Sequence, residues 1–74
     1  MSFINQKGVD PMHEPNRKIK AVRVFNDKTQ TEIAAVLGIS LKSYGLKENN
    51  QQDFTESEID KLLSYFGKKY EELF

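Results

Sequence analysis

The stretch of residues 29–50, TQTEIAAVLGISLKSYGLKENN, constrains the fold more than any other part of this chain. Thr29 and Glu32 have the spacing of a capping box, in which a hydroxyl caps the start of a helix and a carboxylate bonds back to the capping residue's amide. A helix is therefore predicted from about Gln30. Gly38 ends it, because glycine adopts the left-handed conformation that often follows a helix.

A second helix follows at once, so the stretch is a helix, a turn and a helix. Ser40 is the predicted N-cap of this second helix, which covers about 41–48. The first helix, about 30–37, has its apolar residues on one face, and Ala34 on that face is small enough for a crossing helix to approach closely. The apolar residues predicted to enter the core here are Ile33, Ala34, Val36, Leu37 and Ile39.

This pattern resembles the helix-turn-helix of the phage repressor and Cro family, to which the prokaryotic xenobiotic-response-element regulators belong. The resemblance covers about residues 16–74 and implies an all-α, five-helix, lambda-repressor-like DNA-binding domain with a disordered N-terminal arm. The end of the chain soon after the fifth helix resembles the small Cro-type regulators. The residues that carry the resemblance are Gln30, Ala34, Leu37, Gly38, Ile39, Ser40, an inward-facing Tyr44, Glu48 and the terminal Glu71-Glu72-Leu73-Phe74.

The helix before this stretch is predicted over about Arg17 to Asn26, with Asn16 as its N-cap and a turn at Asn26 and Asp27. Its core residues are Ile19, Val22 and either Val24 or Phe25. The family usually has an apolar residue where this chain has Lys28, so Val24 or Phe25 is expected to fill the missing volume.

Two further helices are predicted after a polar loop. Asn50 stands where the family usually has glycine, and asparagine is the next best residue at a left-handed position. Thr55 and Glu58 form a second capping box that opens a helix through about Phe66, and Gly67 stops it. A last short helix, about 69–74, must pack on the bundle to be stable. The inward residues are Phe54, Ile59, Leu62, Leu63, Phe66, Tyr70, Leu73 and Phe74.

Residues 1–15 contain Gly8, Pro11 and Pro15 and show no sustained period, which predicts a disordered arm before the domain of residues 16–74. Met12 is an alternative start of the natural chain. Alternatively, the arm grips DNA through Lys7 and His13.

Composition favours one small domain without catalysis. The chain has 74 residues, no cysteine and one histidine, and it lacks a glycine-rich phosphate loop. We therefore expect no enzyme activity, no metal and no cofactor. Without a secretory signal or an apolar run of about 20 residues, a cytoplasmic protein that does not enter the membrane is expected. The carboxylates of Glu56, Glu58 and Asp60 suit a helix start, where the macrodipole favours negative charge.

The net charge is zero, but the two halves of the chain differ. Residues 1–47 have a net charge of +4 and residues 48–74 a net charge of −4. The half with the helix-turn-helix can therefore present a positive surface to an anionic partner. The simpler interpretation is an ordinary mixed surface.

The resemblance assigns DNA contacts to the second helix and its surroundings. Lys42 would donate to guanine, whereas Leu41 and Leu46 would touch thymine methyl groups. Gln30 matches a phosphate-binding glutamine, although it is alternatively an exposed helix-start residue, and Leu46 is alternatively core. The full set of expected DNA-binding residues is Gln30, Ser40, Leu41, Lys42, Gly45, Leu46, Asn49 and Gln51.

Two departures from the family pattern keep a second function open. Gly45, Leu41 and Leu46 leave the expected reading face apolar, which suits an antirepressor that binds a partner repressor protein. Lys47 occupies a position that the family fills with an apolar residue, so the end of this helix is expected to rotate and to turn Leu46 inward. An antitoxin-like component is a third interpretation.

Two contacts are also predicted. Arg23 is expected to form a salt bridge with Glu48, as similar positions do in the family. Leu73 and Phe74 are large apolar residues near the chain terminus and predict a homodimer through the C-terminal helix, because dimeric regulators bind two half-sites. The alternative is that both residues cap the protomer's own core.

Overall fold

A computed structural model describes residues 16–74, and that part of the chain folds into helices without a strand. The expectation of an all-α chain with five helices is confirmed for these residues. The expected arm of residues 1–15, with Lys7, Met12 and His13, lies outside the described residues. The helices are α1 (Arg17–Phe25), α2 (Gln30–Leu37), α3 (Leu41–Glu48), α4 (Glu56–Phe66) and α5 (Tyr70–Leu73).

The predicted helix starts are confirmed by their capping bonds. The Thr29 hydroxyl accepts from the Glu32 amide at 3.1 Å, and the Glu32 carboxylate accepts from the Thr29 amide at 2.8 Å. Thr55 and Glu58 make the same pair of bonds at the start of α4. Ser40 caps α3 by accepting from the Ser43 amide at 3.0 Å. Each bond satisfies a backbone amide that the helix itself leaves unpaired.

The turns also follow the predicted chemistry. Gly38 has φ 71° at the end of α2, which is the left-handed conformation that glycine adopts without strain. Asn50 is left-handed as well, with φ 62°, as expected for asparagine at this position. Asp27 takes φ 56° in the predicted turn after α1.

The core lies where α2 packs on α3 and α4, and where α1 packs on α3 and α5. The apolar side chains of α2 fill its centre together with Tyr44, which faces inward as expected. Leu73 is fully buried, so the short α5 is held by the bundle. The buried apolar residues are Ile19, Ile33, Ala34, Leu37, Tyr44, Leu62 and Leu73.

The prediction that Val24 or Phe25 fills the core is wrong. Val24 is 54% exposed and Phe25 is 86% exposed. Ile19 and Arg23, four residues apart, define the inner side of α1, and the next two residues turn away from it. The Arg23 guanidinium reaches the turn after α1 instead and donates to the Lys28 carbonyl at 2.8 Å.

Asn16 stands at the N-cap position of α1, but its side chain makes no capping bond. Its amide group instead donates to the Lys47 carbonyl at 2.9 Å, and its backbone N–H donates to the Glu48 carbonyl at 2.8 Å. The residue therefore joins the start of α1 to the end of α3.

Tyr70 is 55% exposed, so it contributes less to the core than expected. Its ring stacks on Phe74 at a centroid distance of 5.2 Å, and Phe74 meets the edge of Phe54 at 5.6 Å.

No helix among residues 16–74 has the length and apolar character needed to span a bilayer.

Candidate nucleic-acid interface

The outer side of α3 is the candidate interface. Leu41 is 49% exposed, Lys42 and Asn49 are also exposed, and Gly45 is half-buried. We call these four residues the α3 face. Gly45 follows Leu41 by four residues and Lys42 by three, and Asn49 follows Gly45 by four, so they lie on one side of the helix. The inner side of α3 carries the buried residues Tyr44, Lys47 and Glu48.

A buried carboxylate holds α3 against the two helices before it. Arg23 on α1 donates from Nε to Glu48 Oε2 at 2.8 Å and from Nη2 to Oε1 at 3.0 Å. The Tyr44 hydroxyl donates to Oε2 at 2.7 Å, and the Gln30 amide donates to Oε1 at 2.9 Å. The predicted salt bridge between Arg23 and Glu48 is therefore confirmed, and Glu48 joins α1, α2 and α3.

The electrostatics of this cluster favour its charged form. Burial raises the pKa of Glu48, but the hydrogen bonds from Arg23, Tyr44 and Gln30 and the charge of Arg23 outweigh it, so the pKa lies below its ordinary value. The hydrogen bond to Glu48 raises the pKa of Arg23. Burial, together with the bond to Glu48, raises the pKa of Tyr44, which therefore stays a neutral donor.

A second buried ion pair joins α3 to α4. Lys47 Nζ lies 2.6 Å and 2.8 Å from the two carboxylate oxygens of Glu58. The expected rotation of α3 is wrong: Lys47 occupies the inner position itself, because Glu58 neutralises its charge there. Leu46 is half-buried beside the loop, where its carbonyl accepts from the Gln51 amide at 2.8 Å.

Gln30 is not a freely exposed residue at the start of a helix. It is half-buried, and its bond to Glu48 fixes its amide group beside α3. Its Oε1 atom lies toward Gly45, at 4.0 Å from the position that a Cβ atom on that residue would occupy. Gln30 therefore adjoins the α3 face.

The other expected contact residues lie at the two ends of α3. Ser40 is exposed, and its hydroxyl oxygen accepts the capping bond while its hydrogen stays available for donation. Gln51 is exposed in the loop after α3. The structure thus groups Gln30 with the α3 face, and places Ser40 and Gln51 at opposite ends of it.

The sequence did not indicate a groove that runs from the α3 face toward the end of α1. Val24 and Lys28 line it together with Leu41. The sequence signal that could have indicated it is Lys28 in place of an apolar residue, because a cation there has no core position to occupy. The full lining is Arg23, Val24, Asp27, Lys28, Thr29, Gln30, Thr31 and Leu41.

The chain was compared with protein-family models, with curated proteins and with solved structures. None of the three comparisons gave a match. The likeness to the phage repressor and Cro family therefore depends on the residues and contacts described above. Within residues 16–74, no three His, Asp or Glu side chains come together as a metal site would require.

The buried carboxylates predict how stability depends on pH. Burial raises the pKa of Glu58, but the hydrogen bonds from Lys47 and Thr55 outweigh it, so the pKa of Glu58, like that of Glu48, lies below 4.5. Well above pH 4.5 both are ionised in either state. As the pH falls below 4.5, the unfolded chain binds protons first, so the free energy of unfolding must decrease.

We expect urea unfolding to give a constant free energy between pH 6 and pH 8 and a steep decrease below about pH 4.5. The double variant Lys47→Met/Glu58→Gln removes one of the two buried carboxylates and should show a shallower decrease. An equally steep decrease in that variant would contradict the assignment to Glu58.

Proposed function

We propose that this chain is a small transcriptional regulator of the phage repressor and Cro type, which binds operator double-stranded DNA through α2 and α3. The observation that carries the proposal is the arrangement of the α3 face. Lys42 and Asn49 project from the side of α3 opposite the core, and Gln30 at the start of α2 adjoins Gly45, which lies between them in sequence. A helix that presents donors in this way fits the major groove.

The proposed roles follow from the chemistry of each group. Lys42 donates to guanine O6 and N7, whereas Leu41 and Leu46 meet thymine methyl groups. Ser40 and Asn49 are short donors that suit base edges or phosphate oxygens. Gln30 and Gln51 position the helix on the phosphate backbone.

The buried pairs support the same proposal. Glu48 fixes α3 to α1 and α2, and Glu58 fixes α3 to α4 through Lys47. A helix held from both sides keeps its side chains in one geometry, which base recognition requires. Lys28 and Lys42 add positive charge to this side of the molecule, which favours association with a polyanion.

Two exposed apolar residues favour a second candidate function. Val24 and Leu41, 54% and 49% exposed, line the same groove beside the α3 face. An apolar groove of this kind suits a protein partner, so the alternative is an antirepressor that binds a partner repressor. An antitoxin-like component would use the same DNA-binding surface.

A homodimer through the C-terminal helix stays part of the proposal, in a narrower form. Leu73 is fully buried in its own protomer and is not available to a partner. Tyr70 and Phe74 are partly exposed and stack on each other, so they are the proposed contact residues. Phe74→Ser should weaken such a dimer in sedimentation experiments.

The test is a gel-shift titration against DNA from around the chain's own gene, at low and moderate salt. Lys42→Ala is expected to weaken binding about tenfold or more, because a base contact is worth about 1–3 kcal/mol. Gln30→Ala should also weaken binding but leave its salt dependence nearly unchanged, because an uncharged amide that contacts a phosphate releases no counterion. Melting temperatures must be measured in parallel, because Gln30 also bonds to Glu48.

Lys61→Ala is the matched control, because Lys61 is an exposed lysine on α4, away from the α3 face. It should leave DNA affinity nearly unchanged. If no fragment shifts even at low salt, while a coexpressed repressor copurifies and is released by Leu41→Asp, the antirepressor function replaces the DNA-binding one.

A further inference from the structure

Phe25, the last residue of α1, is the most exposed of the large apolar side chains in the described part of the chain. It is 86% exposed, whereas Val24 and Leu41 are 54% and 49% exposed. Single exposed apolar residues are common on protein surfaces, but a larger apolar patch often marks an interaction site. The surface around Phe25 therefore decides whether the residue has a role.

Phe25 lines a groove between the end of α1 and the end of α4, which we call the α1–α4 groove. The apolar lining continues with Val22 and Phe66, which are half-buried and pack on the core. The groove has a volume of about 440 Å³, within the range of about 300–1,000 Å³ that is typical of binding pockets. Its lining residues are Ala21, Val22, Phe25, Asn26, Phe66 and Lys68.

The charges beside this groove are positive. Lys68 lines it, and no Asp or Glu in the described part of the chain does. Lys18 lies three and four residues before Ala21 and Val22, so it is on the same side of α1. The Lys18 ammonium donates to the Glu71 carbonyl at 2.9 Å, which uses one of its three hydrogens. Both lysines are exposed, so the groove combines an apolar lining with a cationic rim.

These two properties restrict what can occupy the groove. A second copy, docked through this groove about a twofold axis, would bring Lys18 and Lys68 of both copies into one interface, where like charges repel. The phosphates of a nucleic acid would attract the lysines but would not cover the apolar lining. A protein segment with an apolar side chain between carboxylates satisfies both properties, because burial and charge attraction act together.

We propose that the α1–α4 groove binds a segment of a second protein that presents a large apolar side chain flanked by carboxylates. The apolar side chain lies against the lining of the groove, and the carboxylates face Lys18 and Lys68. The groove shares no residue with the α3 face or with the groove of Val24 and Leu41. The inference therefore goes beyond DNA binding and does not depend on it, and a chain on its operator can hold the protein partner at the same time.

The test is an NMR titration of the isotope-labelled full chain with two capped synthetic peptides. One peptide carries a leucine and a phenylalanine between two pairs of glutamates, and the other has lysines in place of the glutamates. The glutamate peptide should bind saturably, with its largest amide shifts at Val22, Phe25, Phe66 and Lys68, and added salt should weaken it. The lysine peptide should bind at least about tenfold more weakly, because it meets like charges.

Phe25→Ser should weaken binding of the glutamate peptide about tenfold, because a central aromatic residue carries much of the affinity of such contacts. Its melting temperature should stay close to that of the wild-type chain, because the side chain is already solvated. Lys68→Glu should weaken binding by a similar factor. Val24→Ser and Lys61→Glu are the matched controls, because these exposed residues lie outside the groove, and both should leave the peptide affinity unchanged.

The inference is overturned if the glutamate peptide gives no saturable shift at millimolar concentration, or if the lysine peptide binds as tightly. Sedimentation that shows dimers which Phe25→Ser dissociates would assign the groove to a second copy instead. Shifts of residues 1–15 in Phe25→Ser without peptide would assign it to the N-terminal segment, and groove shifts caused by duplex DNA would assign it to nucleic acid. Failure with the peptides leaves DNA binding through α3 untouched, so the two failures are distinguishable.

Discussion

Arg23→Met is expected to lower the free energy of unfolding by about 3–5 kcal/mol. The substitution leaves the Glu48 carboxylate, which is 1% exposed, without its cationic partner. Tyr44 and Gln30 would still donate to it, but neutral donors compensate a buried charge only in part. The measurement is urea unfolding at pH 7, compared with the wild-type chain.

Two variants distinguish the contribution of the buried pair to stability from the general effect of removing a charge. Lys20→Met removes an exposed charge from the same helix and should change the free energy by less than about 0.5 kcal/mol. Arg23→Met/Glu48→Met removes both charges and should recover part of the loss, because no unpaired charge remains. If Arg23→Met melts at the wild-type temperature, the pair contributes nothing to stability.

Glu58→Ala is expected to cost a similar amount, about 3–5 kcal/mol. It removes the partner of the buried Lys47 ammonium and, at the same time, the carboxylate that bonds back to the Thr55 amide. Glu58→Ala therefore removes a capping bond at the start of α4 and the ion pair that attaches α4 to α3. Thermal or urea unfolding measures the effect, and the transition should also become less cooperative at the α4 end.

Glu56→Ala is the matched control, because Glu56 is in the same first turn but is exposed. It should cost under about 1 kcal/mol, mainly through the helix dipole. Lys47→Met/Glu58→Gln should be close to wild type, since methionine fills the lysine's space and glutamine keeps a capping oxygen. A double variant as unstable as Glu58→Ala would show that the ion pair itself stabilises the fold.

The two buried pairs also connect stability with the proposed function. Both end on neighbouring residues of α3, so each fixes the helix that carries the α3 face. Loss of either pair should therefore weaken DNA binding as well as folding, whereas Lys42→Ala, at an exposed residue, should weaken binding and leave folding nearly unchanged. A loss of affinity without a loss of stability would distinguish contact residues from supporting residues.

Local sequence patterns were enough to predict the helices and their ends. Thr29 with Glu32, and Thr55 with Glu58, cap helices through residues three positions apart, and such bonds form within one turn of chain. Gly38 and Asn50 fix the turns through their own backbone preferences. The Arg23–Glu48 pair joins residues 25 positions apart, and it came from the family resemblance rather than from any local rule.

Only the tertiary structure decided the features that depend on contacts between residues far apart in the chain. Lys47 is buried because Glu58, 11 residues later, neutralises it, and Asn16 bonds to a carbonyl 31 residues away instead of capping its own helix. Phe25 is exposed because Arg23 turns inward to Glu48 and sets the rotation of α1. Helix propensity and periodicity describe a residue's neighbours in sequence, whereas the burial of a charge depends on which partner the packed helices bring within hydrogen-bonding distance.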